Sequence, residues 1–178
     1  MRSRLGRNLP GYLCLLLLVC ACGMAGGSSG VNTKAFQVYV DGALGFSLKI
    51  PPDWQRHRDA PAGYPTLPYS RWWLSADAAP LALLVQAASS EPSPGTAPDL
   101  LTNLQRAFPD LHFAPQEPAD AGAPQPLVAA GEDQRLEGLL IQGTARSYIL
   151  AALLPISASD EQINLARAIL ASFRPLTP

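Results

Sequence analysis

Cysteine is confined to the start of this 178-residue chain, where Cys14, Cys20 and Cys22 are its only three. The body that follows can therefore build no disulfide framework, no thiolate metal site and no cysteine nucleophile, and must hold itself together by core packing. Histidine is nearly as scarce. His57 and His112 stand far apart, and no His-x-x-x-His or paired-cysteine spacing occurs after Cys22. His57 lies in Gln55-Arg56-His57-Arg58, where flanking cations discourage a metal ion. A triad of His57, oriented by Asp53 or Asp59, with a nearby serine can be assembled from almost any sequence, so the default for His57 is a solvated surface side chain. Gly-rich phosphate loops and nucleophile-elbow motifs are absent, so the chain offers no cofactor motif, no metal ligands and no catalytic residue.

Positive charge is also short. Of 13 basic residues, Arg2, Arg4 and Arg7 precede an apolar run from Leu13 to Ala21, while all 14 acidic residues lie beyond it. A basic start followed by a short apolar segment is the layout of an export signal. The run is too short for a membrane span of roughly 20 residues. Without the signal the chain carries ten basic and fourteen acidic residues, a formal charge of −4, with no basic stripe, which argues against a nucleic-acid partner.

The signal ends in Val19-Cys20-Ala21-Cys22, which resembles the lipobox of bacterial lipoproteins. The resemblance implies cleavage between Ala21 and Cys22 and an acyl-bearing Cys22, with palmitate-type chains rather than headgroup electrostatics holding the protein to its membrane. Gly23 stands where an aspartate commonly signals inner-membrane retention, so the outer membrane, facing the periplasm, is the expected site. The alternative is ordinary signal-peptidase cleavage after a site such as Ala25, releasing a soluble periplasmic protein. Residues 22–34 are mostly small or polar and read as a lipidated cysteine and flexible tether, which leaves 35–178 as one domain.

Within that domain, Phe36-Gln37-Val38-Tyr39-Val40, Asp41-Gly42 and the alternating Phe46-Ser47-Leu48-Lys49-Ile50 form a hairpin signature, stopped by Pro51-Pro52. Further strands are expected at Arg71 to Ser75, Leu81 to Ala88, Leu127 to Ala130, Arg135 to Gln142 and Arg146 to Leu154. Thr96-Ala97-Pro98-Asp99 opens a helix that Pro109 should end, and Ser157 or Ser159 can cap a last helix bearing Ile163, Ala166, Ile169, Leu170 and Phe173. Glu91 to Pro98 and Ala114 to Pro126 read as Pro-rich loops. Strands outnumber helices and come in hairpins, which predicts an α+β domain with helices packed on an antiparallel sheet.

The phrase Gly45-Phe46-Ser47-Leu48-Lys49-Ile50-Pro51-Pro52-Asp53-Trp54 and the closing Ala168-Ile169-Leu170-Ala171-Ser172-Phe173 resemble the PsbP-like superfamily, which includes DcrB-type envelope lipoproteins. The resemblance spans about 35–174. It implies an α/β/α sandwich around an antiparallel sheet, and no shared active site.

Trp72 and Trp73 are neighbours that should point to opposite sheet faces, and a half-exposed tryptophan beside Arg71 would make Arg71, Trp72 and Trp73 a partner-binding spot. The alternative is that both simply cover sheet faces. Two functions follow as expectations. The first is a lipid-anchored, non-enzymatic binding or accessory factor with an envelope protein partner. The second is a periplasm-facing carrier or hydrolase with a pocket near Trp54, Trp72 and His57.

Overall fold

Alternating side chains decide the first hairpin. In the structure, a computed structural model, β1 (Gln37–Asp41) pairs antiparallel with β2 (Phe46–Ile50). Phe46, Leu48 and Ile50 are buried and Lys49 is exposed. Asp41 closes the turn by accepting from the backbone N–H groups of Ala43 at 3.1 Å and Leu44 at 2.9 Å. Gly45 supplies the left-handed φ of 71° that the turn needs. The structure describes residues 36–77, 80–88, 96–115, 123–143 and 146–176, with the backbone alone at 96–99. The signal, the Ala21-Cys22 cleavage site, the tether and the loop at 91–95 lie outside the described residues.

Among the described residues, seven strands make the main sheet: β3 (Gln55–His57), β4 (Ser70–Leu74), β5 (Ala82–Ala87), β6 (His112–Phe113), β7 (Gln125–Ala130), β8 (Gln134–Gln142) and β9 (Ser147–Pro155). Their order is β3-β4-β5-β9-β8-β7-β6, with every pair antiparallel. The nearly unbroken apolar strands β5 and β9 sit side by side near the centre, as burial on both faces requires. Gly138 lets β8 approach β9, since a Cβ there would meet the Leu150 carbonyl oxygen at 2.3 Å.

Helix α1 (Thr96–Ala107) lays Leu100 and Leu104 on one face of this sheet, against Trp72, Leu84, Leu136, Ile149 and Ala151. Helix α2 (Asp160–Ala171) covers the other face with Ala166, Ile169 and Leu170. It shares that face with Phe46, Leu48 and Ile50 of the hairpin, which pack with Trp73, Leu83, Val85 and Leu150. A two-residue strand, β10 (Arg174–Pro175), adds to β2, so the hairpin belongs to a separate three-stranded sheet ordered β1-β2-β10. The antiparallel α+β architecture is as the sequence implies. One covering layer is part helix and part sheet.

The α2 face is pinned electrostatically as well. Arg167 donates from Nε to Glu137 Oε2 at 2.7 Å and from Nη2 to Oε1 at 3.0 Å, and Arg135 reaches the same carboxylate. Burial pushes the Glu137 carboxyl up, but these hydrogen bonds and charges outweigh it and hold it below its ordinary value.

Candidate functional site

Trp72 and Trp73 do point to opposite faces, but both are sealed in the core, with 0% and 2% exposed. The half-exposed tryptophan anticipated at Arg71, Trp72 and Trp73 is therefore corrected: helix α1 and the 58–69 loop cover one ring, while the small sheet covers the other. Arg71 is occupied too. Its Nε donates to Asp41 Oδ2 at 2.8 Å, and its Nη1 donates to the Ser70 carbonyl at 2.8 Å. The Tyr39 hydroxyl donates to the same Asp41 oxygen at 3.1 Å, and Arg56 donates to that hydroxyl at 2.9 Å with its guanidinium over the Tyr39 ring. Burial raises the Asp41 carboxyl, but the Leu44 N–H, the Arg71 charge and the Tyr39 hydroxyl together bring it below its ordinary value. This network joins the two sheets. The exposed aromatic of the region is Tyr69, 60% exposed, in a left-handed conformation with φ 52° that costs a bulky residue roughly 1–2 kcal/mol.

A pocket shared by Trp54, Trp72 and His57 is corrected as well. Trp54 belongs to the core cluster on the α2 face, and Trp72 to the one on the α1 face, so the central sheet separates them. His57 is opposite Trp72 in the ladder and lies on the α1 face.

A concave surface among the described residues lies elsewhere, at the end of the sheet where β6, β7 and β8 meet the end of α1. The pairing of His112 with Ala130 brings the 110–112 segment against the β7–β8 turn. Gly131 permits that approach, because a Cβ there would stand 2.7 Å from the Asp110 carbonyl oxygen. Pro109 ends α1, and Leu111 N–H returns to the Phe108 carbonyl at 3.1 Å. The result is an open cleft of about 960 Å³, walled by Gly63, Tyr64 and Pro65 on one side and by residues 107–112 and 130–134 on the others.

Its chemistry is one-sided. Asp110, Glu132 and Asp133 line it together with His112 and Gln134, and the described lining contains no lysine or arginine. The C-terminal carbonyls of α1 add partial negative charge at the same wall, which Arg106 in that last turn partly offsets. Tyr64 and Phe108 give it two aromatic surfaces. Tyr64 is braced from behind by the Trp72 ring at 5.1 Å, and burial pushes its hydroxyl pKa up. Among the described residues no three His, Cys, Asp or Glu side chains are arranged to hold a metal ion. Separated carboxylates around aromatic walls suit an organic cation with an apolar stem, such as a lysine or arginine side chain. Sequence reasoning missed this cleft because Asp110 and the Glu132-Asp133 pair are brought together only by the pairing of β6 and β7, and β6 is two residues long.

No family model and no curated protein matches the chain. Among solved structures, the chain is similar to cyanobacterial PsbP (CyanoP) from Synechocystis, with 14% identity and a TM-score of 0.54 over 88% of this chain and 98% of that one. It is also similar to a protein from Bacteroides thetaiotaomicron, with 11% identity and a TM-score of 0.48 over 79% of this chain; the match spans about half, 48%, of that longer chain. LpqN of Mycobacterium tuberculosis, involved in cell envelope biogenesis, has 12% identity and a TM-score of 0.47 over 80% of this chain and 91% of its own. The near full-length likeness to CyanoP shows a PsbP-like fold, and at this identity it is a likeness of fold alone.

Proposed function

We propose that this protein is a lipid-anchored, non-enzymatic accessory factor of the bacterial envelope that holds a basic segment of another envelope protein in its acidic cleft. The observation that carries the reading is the cleft itself, which Asp110, Glu132 and Asp133 line together with Tyr64 and Phe108, with no cationic side chain in the described lining. Three carboxylates at a concave surface raise the local concentration of cations and accelerate encounter, and the aromatic walls give a bound lysine or arginine stem something to pack on. The export signal, the lipobox-like Val19-Cys20-Ala21-Cys22 and the Gly- and Ser-rich stretch after it support placement at an envelope membrane, with Gly23 favouring the outer one. The lipid then serves as the membrane partner, and the domain needs no basic surface for that purpose.

The test is crosslinking in the native host, followed by capture of the full-length protein, comparing wild type with the triple variant Asp110→Asn, Glu132→Gln, Asp133→Asn. We expect a reproducible partner carrying a basic segment, with recovery falling by about tenfold in the variant and with added salt. No reproducible partner, or undiminished recovery by the variant, would overturn the reading.

A further inference from the structure

An exposed sheet edge invites pairing with another chain, and proteins normally blunt such edges with short strands, charge or proline. Among the described residues, three of the four edges follow that rule. β3 is three residues long, bears Arg56 and is followed by Arg58; β6 has two residues; β10 has two and contains Pro175. β1 does not. It runs five residues, Gln37-Val38-Tyr39-Val40-Asp41, with no proline and no lysine, and among the described residues it pairs only with β2.

The hydrogen-bond phase of β1 is set by β2. The Lys49 N–H donates to Ser172 Oγ at 2.9 Å, so the backbone of Lys49 faces the end of α2 and not β1. Val38 stands opposite Lys49, and in an antiparallel ladder directly opposed residues either exchange both bonds or both face away. The N–H and C=O of Val38 therefore point to the open edge. The same holds two residues on for Val40, which stands opposite Ser47, itself paired with Arg174 on its other side. The side chains of these two residues are also uncovered, 65% exposed at Val38 and 57% at Val40.

We infer that β1 is a self-association edge whose occupant is β1 of a second copy of this chain. Val38 and Val40 are spaced two apart, both are bond-competent outward, and a two-fold axis through Tyr39 sets Val38 of each copy opposite Val40 of the other. Each of these pairs exchanges two hydrogen bonds and closes its β-branched side chains over one another, joining two three-stranded sheets into one. A closed two-fold contact of this kind is isologous and stops at the dimer. The chain's own preceding segment suits the edge poorly, since residues 23–35 hold Val31 as their only β-branched apolar residue amid glycine, serine and alanine.

The experiment is sedimentation velocity of the full-length chain in detergent micelles across a wide concentration range, with backbone hydrogen exchange on the same samples. Wild type is compared with Val38→Lys/Val40→Lys, and with Val128→Lys as a control at a residue 50% exposed on β7. Both sites are open to solvent, so the lysines leave the hairpin fold intact while placing like charges across the two-fold. We expect a wild-type dimer with Val38 and Val40 amides that exchange more slowly as concentration rises. We also expect a dimer dissociation constant raised about tenfold or more in the double variant and unchanged in the control. A wild-type monomer throughout, a double variant that dimerises equally well, or a dimer whose Val38 and Val40 amides stay unprotected would each overturn the inference.

Discussion

Two buried carboxylates, Asp41 and Glu137, hold the domain's layers together, and each does so only while ionised. Asp41 is tied to Arg71 and the turn amides, and Glu137 to Arg167 and Arg135. Both have folded pKa values depressed below ordinary values of 3.8 and 4.5. A depressed carboxyl stabilises the fold fully above its unfolded pKa, and that contribution is lost as pH falls through the folded one. Stability should therefore be flat from neutral pH down to about 5 and fall progressively below that. The double variant Asp41→Asn/Glu137→Gln should lose on the order of 2 kcal/mol at neutral pH and show a shallower acid limb in urea unfolding. An acid limb as steep as wild type would assign the loss to other groups. Little of this was legible beforehand. Asp41 reads as half of an Asp-Gly turn signal, and nothing in Arg71-Trp72-Trp73 discloses that Asp41 claims the arginine. Nor does adjacency say whether a tryptophan on β4 stays open, because that depends on the 58–69 loop and the small sheet folding over it.

At the scale of elements, local chemistry was a good guide where it repeats. The alternation at Phe46 to Ile50, the apolar runs of β5 and β9 and the periodicity of α2 all reappear as structure. Ser159 proves to be the cap of α2: its Oγ accepts from Gln162 N–H at 3.3 Å, while the Gln162 side chain accepts from Ser159 N–H at 3.0 Å. Replacing Ser159 by Ala removes that reciprocal cap and should cost about 1 kcal/mol in thermal or urea unfolding, whereas Ser157→Ala should cost almost nothing. Equal losses would mean that the cap does not set the helix start. The strands that escaped notice, β3, β6 and β10, are two or three residues long and carry no alternation. They exist because a neighbouring strand offers them partners, a fact stored in tertiary contacts. β6 matters most, since its pairing with β7 builds the acidic cleft.

At the scale of the whole molecule, the proposed lipid tether would carry a domain of PsbP-like fold with an acidic cleft. Among the described residues no helix is long and apolar enough to cross a membrane; the attachment proposed above is through Cys22. Lipid confinement to two dimensions would raise the effective concentration both of a basic partner at the cleft and of a second copy at β1. The two surfaces draw on different physics: salt weakens the first through screening and has little hold on backbone pairing at the second. Whether the chain is lipid-anchored is decided by the intact mass of the native protein extracted from its membranes, beside the Cys22→Ser variant. We expect a wild-type chain that begins at Cys22 and carries acyl mass, lost in the variant. An unmodified N-terminus downstream of Cys22, the same in both, would contradict it and leave a freely diffusing exported domain.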